Sequence, residues 1–183
     1  MMNLLKTLKS KESLLMLLSE KQYENKLTAL LQDLKKTKKK ICYVCLSRPY
    51  EDVIEDLRNK KFNIDRFYFV DALNTKQSRK YKGCVFVSAP VKLDKLITTI
   101  KKIIKTKNCN VIIFDTLSTL LVYEDSFKIV KFTNEIIQEV KKESNVFVVL
   151  KEGFYPKGSL EKLNKDLYMI MDKTIYFDKM KKK

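Results

Sequence analysis

The segment Val111-Ile-Ile-Phe-Asp-Thr116 places four apolar residues directly before an acid, and a hydroxyl cluster, Thr116-Leu-Ser-Thr119, follows. A short unbroken apolar run between polar boundaries reads as a strand buried on both faces, the pattern of a parallel sheet. A carboxylate at the C-terminal end of such a strand stands where open α/β sheets keep their ligand sites.

Working outward, the same pattern recurs in Leu14-Leu-Met-Leu-Leu18, in residues 41–47, in Arg66-Phe-Tyr-Phe-Val-Asp71, in residues 84–88, in Asn145-Val-Phe-Val-Val-Leu150 and in Thr174-Ile-Tyr-Phe177. Between these runs, apolar spacing of three and four predicts helices over 24–34, 93–105 and 127–142. Pro49 followed by Glu51 and Asp52 marks the start of another helix, running to about Lys60. Gly153, Pro156 and Gly158 mark a loop, and Ser159 is a candidate N-cap for a helix to about Met171. Strands and helices alternate throughout, which predicts an α/β fold with a mostly parallel central sheet and helices on both faces. No linker divides residues 1–183, so one domain is expected, with residues 1–11 as a lead-in and 179–183 as a basic tail.

The chain has 183 residues, 38 of them basic and 22 acidic, for a formal charge of +16. Only Arg48, Arg58, Arg66 and Arg79 are arginines, so lysine carries the excess. Such a balance fits attraction to phosphate, in nucleic acid or at an anionic membrane face, and equally a lysine-rich surface of the kind heat-adapted proteins carry. The apolar runs are too short for a membrane span or a signal-peptide core, and a cytoplasmic protein without membrane partners is expected. There is no histidine, which excludes Ser-His-Asp and Cys-His nucleophile systems. Cys42 and Cys45 form C-x-x-C, but on a strand that offset sends the two thiols to opposite faces, so no metal site is expected. Asp71 and Asp115, both strand-end acids, could approach one another at the C-terminal edge of the sheet. Lys76, Arg79, Lys80, Tyr81 and Lys82 bring cations and a ring together, the minimum for gripping single-stranded nucleic acid; a solvated loop explains them with fewer assumptions.

Tyr43-Val-Cys-Leu-Ser-Arg-Pro-Tyr50, Phe67-Tyr-Phe-Val-Asp-Ala72, Val111-Ile-Ile-Phe-Asp-Thr-Leu-Ser118 and Asp172-Lys-Thr-Ile-Tyr-Phe177, in this order, resemble the RecA-like ATPase superfamily and its KaiC-like branch. The resemblance runs from Leu14 to Phe177 and implies a three-layer RecA-like core. It implies that Asp115 is the acid of a Walker B strand, followed by Thr116, and that the first strand should lead into a phosphate loop, G-x-x-x-x-G-K-[ST]. With Lys26 on the family lysine, the glycine positions hold Glu20 and Asn25 and the hydroxyl position holds Leu27. The three glycines of the chain, Gly83, Gly153 and Gly158, lie elsewhere. Phosphoryl transfer rests on positioning and charge stabilisation, so a chain without these groups is expected not to hydrolyse ATP. The resemblance thus points to a non-catalytic protein with at most a vestigial nucleotide site at Lys26, Asp115 and Thr116, needing neither ATP nor magnesium. It would act through a protein partner, either a RecA-like homologue or a second copy. A basic nucleic-acid-binding protein and a divergent ATP-binding protein are the alternatives. Read as a solvated strand end or helix cap, Asp115 should tolerate replacement by alanine with little loss of stability.

Overall fold

The computed structural model describes residues 11–73, 81–88, 92–153 and 155–177. Seven strands form one sheet: β1 (Ser13–Leu18), β2 (Ile41–Cys45), β3 (Phe67–Asp71), β4 (Cys84–Phe86), β5 (Val111–Asp115), β6 (Ser144–Leu150) and β7 (Lys173–Tyr176). Their spatial order is β4-β3-β2-β5-β6-β1-β7, and every strand pairing is parallel. Five helices cover it: α1 (Glu20–Lys35), α2 (Tyr50–Asn59), α3 (Leu93–Lys107), α4 (Ser126–Glu139) and α5 (Ser159–Ile170).

Alternation along each strand divides the interior into two cores. Leu14, Met16 and Leu18 of β1, with Val111 and Ile113 of β5, face α1 and α2, whose Leu27, Leu30, Leu34, Val53 and Leu57 complete that layer. Leu15, Leu17, Ile112 and Phe114 face the other way, onto Ile100 of α3, Phe132 of α4 and Leu167 of α5. The topology explains this partition. Connections from β1 to β2 and from β2 to β3 run toward one edge of the sheet, and those from β4 to β5, β6 and β7 run toward the other. A single crossover hand turns opposite directions into opposite faces. The fold is therefore the three-layer α/β arrangement of RecA-like proteins.

Several boundaries differ from the sequence expectation. The first helix begins at Glu20 rather than Glu24, so a single residue, Ser19, joins it to β1. Strand β2 stops at Cys45, because the N–H groups of Leu46 and Ser47 turn to the carbonyl of Asp115. At the start of α5 the cap residue is Gly158, with φ of +77°, while the Ser159 hydroxyl donates to the Pro156 carbonyl. Residues 1–10 of the lead-in, the tail 179–183, and Lys76, Arg79 and Lys80 lie outside the described residues. Among the described residues no helix is long and apolar enough to cross a membrane.

Candidate functional site

Strands β2 and β5 are neighbours whose connections leave in opposite directions, and ligands of open α/β sheets bind at the carboxyl ends of such a pair. Asp115 closes β5 at that point and is 1% exposed. The Tyr23 hydroxyl donates to both carboxylate oxygens, at 2.6 and 2.7 Å, and the Tyr43 hydroxyl donates to Oδ2. Leu46 and Ser47 donate their backbone N–H groups to the Asp115 carbonyl at 2.8 and 3.1 Å. The guanidinium of Arg48 stands 5.9 Å from the centre of the Tyr23 ring and 3.7 Å from Asp56. The Asp115–Thr116 peptide is cis.

Local sequence builds this cage. Ser19 and Gln22 form a capping box, and the Ser19 carbonyl accepts from the N–H groups of Gln22 and Tyr23, so the helix starts at once after β1. That start sets Tyr23 in the first turn, at the level of the strand ends. Tyr43 pairs in register with Ile113, two residues before Asp115, and therefore shares its face. Burial pushes the Asp115 carboxyl above the ordinary carboxylate range, against the pull of the two phenols and Arg48. Burial, reinforced by the neighbouring carboxylate, raises both tyrosines well above their usual value. The arrangement is a cage of two phenol donors around one carboxyl group, with the Arg48 guanidinium beside it. Asp115 is thus not a solvated strand end; that reading is corrected by its burial and its two hydroxyl donors.

The other sequence-predicted residues are placed separately. Lys26 lies with its Nζ 4.5 Å from the centre of the Phe177 ring. The Thr116 hydroxyl is within 2.9 Å of that of Thr119. Asp71 is fully buried and accepts from the backbone N–H groups of Tyr50 and Leu73, both at 2.8 Å, so it caps α2 instead of pairing with Asp115. Tyr81 packs against Tyr50 and Phe86, with ring centres 5.1 and 5.9 Å away, while Lys82 is exposed. Cys42 belongs to one core and Cys45 to the other. Among the described residues no three histidine, cysteine or acidic side chains are grouped to hold a metal ion.

Tyr23, Tyr43 and Arg48 are the partners that sequence reasoning missed. A buried tyrosine requires a hydrogen-bond partner for its hydroxyl, and a tyrosine on an otherwise apolar strand beside one ending in an acid was the available signal.

No protein-family model matches the sequence, and no curated protein sequence matches it significantly. Among solved structures, the crystal structure of KaiC-like protein PH0186 from the hyperthermophilic archaeon Pyrococcus horikoshii OT3 is similar to this chain, with a TM-score of 0.62. The match covers 85% of this chain and 70% of that one, at 12% sequence identity, and the likeness is one of fold.

Proposed function

We propose that this protein is a non-catalytic version of the RecA/KaiC-like fold that regulates or scaffolds a protein partner, either a RecA-like homologue or a second copy. One observation carries the reading: the carboxylate at the switch point is satisfied by Tyr23 and Tyr43, from within the chain. A magnesium nucleotide at this point would need free carboxylate oxygens and a turn of free backbone N–H groups. The first are taken by phenols, and the second is replaced by the single residue Ser19. These residues do not fit the group, so Lys26, Asp115 and Thr116 are read as vestigial. Protein contacts find support at the β7 edge, where exposed Tyr168, Met169 and Tyr176 flank a cleft of about 740 Å³.

Thermal unfolding with ATP or ADP, each with and without magnesium, tests the reading. Ligand at about 100 times its Kd adds about 2.7 kcal/mol, equivalent to about 5–11 °C in a chain of this size. No shift is expected. A magnesium-dependent rise of several degrees would overturn the proposal in favour of a surviving nucleotide site.

A further inference from the structure

The N-terminal edge of the sheet is unlike the filled C-terminal edge. Three segments arrive there just before neighbouring strands: residues 36–40 before β2, 108–110 before β5 and 140–143 before β6. Because the strand order runs β2-β5-β6, lysines far apart in sequence become neighbours.

Two clefts open along this edge. One, of about 650 Å³, is lined by Lys101, Lys105, Lys141 and Lys142, with Asn108 and Gln138. The other, of about 460 Å³, is lined by Thr37, Lys38, Lys39 and Lys142. Asn110 and Lys142 line both, which makes them a single groove.

The groove is built rather than incidental. Asn110 accepts from the Lys40 N–H on Oδ1 at 3.0 Å, donates its own N–H to the Lys40 carbonyl at 2.8 Å, and accepts from the Ser144 N–H at 3.0 Å. One residue thus ties the first two segments to each other and to the first residue of β6. The Arg66 guanidinium fixes the turn at 34–39 from below, donating to the carbonyls of Leu34 and Lys39.

Helix dipoles account for Lys35 of α1 and for Lys105 and Lys107 of α3, which lie in last turns. They do not account for Lys38, Lys39, Lys141 and Lys142, which lie beyond helix ends, where the dipole's effect has faded. Lys38, Lys39, Lys105 and Lys141 make no salt bridge among the described residues, and all but Lys39 are exposed. Of the two acids in the groove, Glu139 is paired with Lys101 at 2.6 Å. Glu143 accepts backbone N–H bonds from itself and from Lys142, and burial holds its carboxyl above the usual range.

We infer that this groove binds the sugar-phosphate backbone of duplex nucleic acid, without reading sequence. Unpaired cations around a floor of amide side chains suit phosphate and sugar oxygens. No exposed aromatic ring lines the groove, so it offers no platform for stacking the bases of a single strand. A membrane face is disfavoured because the surface is concave, and the exposed large apolar side chains, such as Phe127 and Met169, lie elsewhere. The inference is independent of the nucleotide site.

The test measures fluorescence anisotropy of labelled duplex DNA and duplex RNA against the full chain, from low to physiological salt. A groove variant replaces Lys38, Lys39, Lys105 and Lys142 with glutamine. A control replaces Lys131, Lys157, Lys162 and Lys165, so that both carry the same net charge, and circular dichroism checks that each folds. The groove variant should lose roughly tenfold or more in affinity, its log-log salt slope falling by about 0.9 for each phosphate contact removed. The control should stay within about threefold of the parent. The DNA and RNA arms identify the duplex bound. Equal losses in the two variants, absence of duplex binding at low salt, or preference for anionic phosphatidylserine vesicles over duplex would each overturn the inference.

Discussion

Asp71 and Asp115 end strands on either side of β2, each in register with Cys45, and both are buried, yet they are satisfied by different means. Asp71 accepts from two backbone N–H groups, one of them at the start of α2, where the helix dipole also favours negative charge. Asp115 has no helix start aimed at its side chain and accepts from two phenols instead. The backbone solution uses main-chain donors: the loop just after the acid, and the start of α2, which lies 21 residues earlier in the chain. The phenol solution uses side chains, drawing Tyr23 from α1 and Tyr43 from β2 onto the end of β5. An acid in a ligand site would be expected to keep open coordination, and neither of these does.

Replacing Asp115 with alanine should give the largest effect. It strands two hydroxyl groups, one on fully buried Tyr43, and each unsatisfied buried group costs about 1–3 kcal/mol. A total of about 3 kcal/mol corresponds to a fall of about 6–12 °C in Tm at this chain length. Thermal unfolding measures it directly. A loss of a degree or less would mean that the cage stores no stability and that Asp115 is held for some other purpose.

Asp71→Ala should cost less, about 2 kcal/mol as the loss of a strong cap, or about 4–8 °C in Tm. Asp71→Asn should recover much of it, since asparagine also accepts from the start of a helix. If Asp71→Ala proved the more damaging of the two alanine variants, the ranking of phenol cage over backbone cap would be reversed.

The contrast also marks what was legible in the sequence. Double-faced apolar runs such as Val111–Phe114 and Val146–Leu150 announce buried parallel strands without any tertiary information, and the alternation of elements follows from them. The start of α2 was visible in Pro49, Glu51 and Asp52, but its capping by Asp71 was not. Tyr23 was not, because residues 20–27 were compared with a phosphate loop. The Ser19-x-x-Gln22 capping box, which starts the helix at once, is the local signal that outweighs that comparison. The basic groove was less legible still. Lysine runs at 38–40 and 141–142 are plain in the sequence, but their meeting depends on the β2-β5-β6 strand order, a nonlocal property.

The smallest effect expected is a change with pH in the gap between the parent and Asp115→Asn. Burial raises the Asp115 carboxyl in the folded chain above its unfolded value, near 3.9. The unfolded chain therefore releases this proton first as pH rises. The stability attached to the proton is complete below about pH 4 and is lost as pH climbs through the raised native value. Asparagine has no proton to lose, keeps one acceptor for a phenol and avoids placing a charge in the core. Its deficit relative to the parent should accordingly be greatest near pH 4 and narrow toward pH 7. Subtracting the two Tm curves removes groups that titrate in both proteins, including Asp172, which Ser13 holds below the usual carboxylate range. A deficit that widened with pH would show that the two phenols and Arg48 outweigh burial. The cage would then be a stabilised anion, to be compared with Asp71 on equal terms.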